Sequence, residues 1–167
     1  MTISMYKASV PVLTRALNNM AAILDKAIAH CAEKKIDPSV LVNFRLTPNM
    51  LPFKAQVFIM TDQAKGCAAR LAGADVPSYP DTEVTFEDLK ARLAKTAAFV
   101  QSFQAAQIDG SEDKDIVLKF GPNQFDFKGQ DYLLNFVLPN VFFHETTAYA
   151  ILRHCGVEIG KKDFLGG

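Results

Sequence analysis

The sequence predicts a mainly α fold: a four-helix bundle with a short helix after the first bundle helix and a β-hairpin inserted before the last. Three observations carry this prediction. Apolar residues recur at helical spacing over four long stretches, proline and glycine punctuate the gaps between them, and from about residue 115 to 128 the period changes to two. The 167 residues are expected to form a single domain over 1–167, because a chain of this length can bury roughly 70% of its unfolded surface without disulfides or a structural metal.

The first helix is expected to open after Ser9, with Pro11 in its first turn, where a missing N–H costs nothing. Leu13, Leu17, Met20, Leu24, Ala27 and Cys31 form its apolar stripe, and Asp37-Pro38 stops it, because the residue before a proline disfavours helical ψ. Pro38 to Leu46 reads as a short helix with Val40, Leu41 and Phe44 turned inward. A second long helix opens at Pro52 and runs to about Ala72, with Phe53, Val57, Met60, Ala64, Cys67 and Leu71 inward and Gly73 as its C′ residue. A loop carrying Pro77 and Pro80 follows. Thr85, with Asp88 three places on, signals the N-cap of a third long helix, which fades by Ala106 or Gln107.

Ile116, Leu118 and Phe120 then alternate with Val117 and Lys119, and Phe125 and Phe127 alternate with Asp126 and Lys128, with turn chemistry between them at Gly121 to Gln124. Two strands alone are marginal in water, so the hairpin must lean on other elements. The last helix is expected over about Gln130–Cys155, kinked at Pro139 and ended by Gly156, with a tail from Val157 draped over the bundle.

Composition narrows the function. Eighteen basic side chains balance eighteen acidic ones and 49% of residues are apolar, so the basic stripe of a nucleic-acid binder is missing. No apolar run reaches the roughly 18–20 residues of a membrane span, and Tyr6 and Lys7 interrupt the stretch where a signal peptide would be apolar. A cytoplasmic protein is expected, contacting neither nucleic acid nor membrane. Cys31, Cys67 and Cys155 are far apart and read as small core hydrophobes.

The run from His144 through Leu152-Arg153 to Gly156-Val157 resembles the final helix of the DinB/YfiT-like superfamily. Tyr132 to Asn140, Lys161 to Gly166, Asp62 to Gly66 and Arg70 to Gly73 resemble one uncharacterised bacterial branch of it, a domain family without an assigned function. The resemblance implies the bundle fold. It also implies, for many members, a nickel or zinc ion held by three histidines, one on the second bundle helix and a His-x-x-x-His pair on the last, and for some a thiol-dependent transferase or isomerase activity. Here Asn140 stands four residues before His144, and no histidine lies between Met50 and Gly73. Two of the three implied ligands are absent, and no metal, cofactor or catalytic residue is assigned. His154 lies ten residues past His144, roughly 15 Å along a helix, too far to share an ion with it; His30 is expected to face solvent near the end of the first helix.

His144 and Asn140 form a polar pair at i, i+4 on an otherwise apolar face, and Gln56 and Gln63 flank the inner face of the second long helix. These four residues are the candidates for a ligand pocket, around a degenerate metal site. Asp62 and Lys65 read as an exposed helix pair, and Tyr132 and Tyr149 as core. Three functions compete: a small-molecule-binding bundle with a polar niche at Asn140 and His144, a metal-dependent transferase or isomerase of the DinB-like type, and a dimeric interaction protein. A homodimer is expected from the apolar surface of the hairpin and from the resemblance.

Overall fold

The structure, a computed structural model, describes residues 3–167 apart from the side chain of Phe120. Met1, Thr2 and the side of the hairpin that Phe120 takes in the expected alternation lie outside the described residues.

Helix α1 spans Met5–Lys34 and starts earlier than the sequence suggests. Ser4 is its N-cap, Ser9 is buried inside it, and Pro11 sits in its second turn. Its first turn gains a donor partner from far along the chain, since the Tyr6 N–H donates to the Asp109 carboxylate at 2.8 Å. The local signal is Ser4, whose hydroxyl accepts from the Lys7 N–H, ahead of the Ser9 start expected from the sequence. Helix α2 is short, Pro38–Val42, and buries Leu41 and Val42, leaving Val40 exposed. Helix α3, Phe53–Ala72, ends at Gly73 with φ 74°, a left-handed C-cap that a side chain would strain. The Lys114 ammonium covers the same end by donating to the Leu71 carbonyl at 3.1 Å.

Helix α4, Phe86–Gln101, opens on the capping box of Thr85 and Asp88. It stops five residues before Ala106, and a separate turn, α5 (Ala105–Ile108), closes over the bundle with Ile108 fully buried. Strands β1 (Asp115–Phe120) and β2 (Asn123–Lys128) pair antiparallel, Ile116 opposite Phe127 and Leu118 opposite Phe125. Ile116 and Leu118 are buried and Phe127 packs on the core, so much of the apolar surface credited to dimerisation is spent inside the chain. At Gly129 a Cβ would stand 1.9 Å from the Ser111 carbonyl oxygen, so the chain passes the loop there only without a side chain.

The last helix is one rod in three windings: α6 (Gly129–Asp131), a π-helical segment (Tyr132–Val137) and α7 (Leu138–His154). Pro139 supplies no N–H to the carbonyl four residues back, and the wider π turn lies directly before it. The tail buries Val157 and Ile159 and ends in α8 (Lys161–Leu165), which lies on α1. Helix α1 packs along α4 and α3 along α7, giving four long helices among the described residues around one core. No helix is long and apolar enough to cross a membrane.

Candidate functional site

Helices α3 and α7 bring His144 and Gln56 together. Gln56 is buried in the first turns of α3, where its side-chain N–H donates to the Leu51 carbonyl at 2.9 Å. That bond turns the amide oxygen toward α7, and Oε1 meets Nδ1 of His144 at 2.7 Å. An amide oxygen only accepts, so Nδ1 carries the proton and donates. Burial pushes the imidazole below its ordinary pKa of 6.5, keeping the ring neutral at physiological pH. Its Nε2, a lone pair without a protein partner among the described residues, then serves as an acceptor on a half-buried ring. The Phe143 ring stands edge-on beside it, centroids 5.2 Å apart.

The other two expected pocket residues do not join this pair. Asn140 folds back onto its own helix, donating to the Phe136 carbonyl at 2.7 Å. Gln63 is half-buried two turns beyond Gln56 and has no hydrogen bond to His144.

An implied nickel or zinc ion does not fit these residues. One imidazole faces amides, Gln56 spends its oxygen on His144, and neutral amide oxygens are poor partners for metals that favour imidazole and thiolate. Among the described residues no group of three His, Cys, Asp or Glu side chains could hold an ion. The thiols are also ill suited to chemistry: burial pushes Cys67 up to about 12 and raises Cys31 and Cys155, whereas reactive cysteines have lowered values.

Several other expectations are corrected. His30 does not simply face solvent; it is half-buried, and its Nε2 is enclosed without a partner. The Asp62–Lys65 pair is not a free surface pair. Lys65 is buried, and Asp62 lies 2.7 Å from its ammonium and 3.1 Å from Nη2 of Arg92. Arg92 itself is buried, which the balanced charge composition concealed. Its Nε donates to Thr61 Oγ1 at 2.7 Å, and Nη1 donates to the Pro80 carbonyl at 3.1 Å and to Glu83 at 3.2 Å. The guanidinium also lies over the Phe58 ring. This cluster ties the loop between α3 and α4 to both helices. Tyr132 is core, as expected, its hydroxyl accepting from Arg70 at 2.9 Å.

Sequence reasoning missed Glu145. It is only 1% exposed, and its Oε1 has no hydrogen-bond partner. Burial pushes its carboxyl up to about 8. A signal was present: Val141, Glu145, Ala148 and Leu152 are spaced for one buried helix face, and a carboxylate interrupts it.

The four long helices around one core, with a hairpin before the last, form a DinB-like bundle. A crystal structure of a DinB family member from Shewanella denitrificans matches with a TM-score of 0.87 at 36% sequence identity, covering 97% of this chain and 92% of that one. The family model for a domain of unknown function, DUF1993, matches residues 5–165, and the chain belongs to that family. No curated protein matches the sequence.

Proposed function

We propose that the protein is a small-molecule-binding bundle that works without a transition metal and presents His144 Nε2 as the acceptor for its ligand. The observation carrying this reading is the Gln56–His144 bond, which fixes the tautomer and leaves one nitrogen uncommitted beside an aromatic ring. Such a niche suits a ligand with one hydrogen-bond donor and an apolar body. The test is nitrogen NMR of His144 during titration with small aromatic donors such as phenols. A shift of Nε2 alone supports the reading, and a silent Nε2 across the series refutes it.

The absence of a metal role is testable separately. Nickel or zinc should leave the melting temperature of the wild type unchanged. His144→Ala should lower stability by about 1–3 kcal/mol, because Gln56 Oε1 is left without its donor. A metal-induced rise in melting temperature that His144→Ala abolishes would move the transferase reading ahead.

A second reading, a homodimer, is favoured by two phenylalanines on α7: Phe142 is 39% and Phe143 55% exposed. Adjacent aromatic rings on one helix suit a two-fold contact. Light scattering at tens of micromolar should report a dimer that Phe143→Asp converts to a monomer. A wild-type monomer at that concentration ends this reading.

A further inference from the structure

On the other side of α7 from Gln56, a cavity of about 220 Å³ lies among α1, α7 and α8. Val12, Ala16 and Leu165 form apolar walls, Phe142 and Phe164 contribute rings, and Glu145 is the carboxyl that lines it. The covering helix α8 is clasped in place. Arg15 donates to the Leu165 carbonyl, Asn19 donates to the Phe164 carbonyl at 2.9 Å, and Lys26 pairs with Asp163 at 2.6 Å. The basic and amide groups nearest the cavity are therefore spent on α8, and none of them reaches Glu145 Oε1.

We propose that this cavity is a binding site for a small organic ammonium ion with an apolar body, its N–H groups donating to Glu145. Burial favours the protonated form of this carboxyl, and a bound ammonium ion supplies the opposite charge that favours the carboxylate, the proton passing to solvent. Aromatic rings in the wall attract a cation through their faces. The apolar walls disfavour a fully hydrated ion, and Arg15, which also lines the cavity, is turned to the Leu165 carbonyl and not to Glu145. A hard metal ion would need about six oxygen ligands, and the cavity offers one carboxylate. The volume suits an aryl or short alkyl amine, since an apolar void of roughly 150 Å³ takes benzene. This site is distinct from the His144 niche and does not depend on it.

The test is calorimetric titration of the full chain at pH 7 with benzylammonium chloride, against benzyl alcohol and benzoate as neutral and anionic analogues of similar size. Benzylammonium should saturate at about 1 mM or below. Benzyl alcohol and benzoate should bind about tenfold more weakly or not at all, and Glu145→Gln should weaken the amine about tenfold, the loss expected when a hydrogen bond to a charged group is removed. Ala16→Leu, which fills the cavity from α1 and leaves Glu145 intact, should abolish binding. Should either variant fail to fold, the comparison of amine with alcohol on the wild type decides alone. Equal binding of amine and alcohol, amine binding unaffected by Glu145→Gln or Ala16→Leu, or no amine binding at several millimolar overturns the proposal.

Discussion

Replacing Arg92 by Ala is expected to cost about 3 kcal/mol of unfolding free energy, the low end of what removing one partner of a buried ion pair costs. The substitution strands the mostly buried Glu83, leaves Asp62 with Lys65 alone, withdraws the donor to Thr61 Oγ1, and strips the aliphatic stem and guanidinium plane from the Phe58 ring. In urea the midpoint should fall by one molar or more at an unchanged slope. The damage should be local as well as global. Pro80 and Glu83 belong to the loop joining α3 to α4, and Arg92 holds both. Amide exchange in residues 74–84 should therefore rise further than in α1. Arg92→Lys should recover little, because one ammonium cannot replace a fork that reaches Thr61, Asp62, Pro80 and Glu83 together. A loss below 1 kcal/mol for Arg92→Ala would show that the cluster is a surface network with little energetic weight.

The second large effect follows from Glu145 and appears as a dependence on pH. An exposed glutamate titrates near 4.5, whereas burial holds this one near 8. Between those values the folded chain keeps a proton that the unfolded chain has released, so stability falls as pH rises, and the fall ends once pH passes the folded value. His144 acts in the opposite sense. Its folded pKa lies below 6.5, so it costs stability as pH drops through 6.5. Above 6.5 its contribution is complete, and from 6.5 to 8 Glu145 should dominate. Across that interval the wild type should lose about 2 kcal/mol. Glu145→Gln cannot ionise, so its curve should be flat there, and it should be the more stable of the two at pH 8. Parallel curves for the two proteins would show that Glu145 ionises normally in the folded state.

These two residues also show where sequence reading stops. Thr85 with Asp88, Gly73, and the alternation around Ile116 were legible because each states its conformation within a few positions: a cap, a left-handed terminus, a pleat. The Gln56–His144 contact was within reach as well, since both lie at inward-facing helical positions that a bundle brings opposite each other. The start of α1 was signalled by Ser4, which the reading passed over for Ser9, but the second cap from Asp109, over a hundred positions away, was not legible. Nor was the burial of Arg92 and Lys65. Charged side chains on helices are ordinarily solvated, and only the course of the α3–α4 loop makes these two internal. Glu145 lies between these cases. Its spacing placed it on a buried face, but a reading centred on its neighbour His144 passed over it.

The π-helical turn at Tyr132–Val137 gives the last helix a change of phase. A π turn accommodates about one more residue than an α turn, and one residue advances an α-helix by about 100°. Side chains before the turn and side chains after it therefore answer to different compass bearings along one continuous rod. At the turn's first residue, Tyr132 is aimed at Arg70 and at the hairpin's Phe127. Downstream, His144 faces α3 while Glu145 faces α1. Removing one residue from the turn would restore ordinary winding and swing one end against the other by about a quarter-revolution. The seat of the hairpin and the aim of His144 and Glu145 could not then both be kept, so the extra residue works as the indexing pin of this helix.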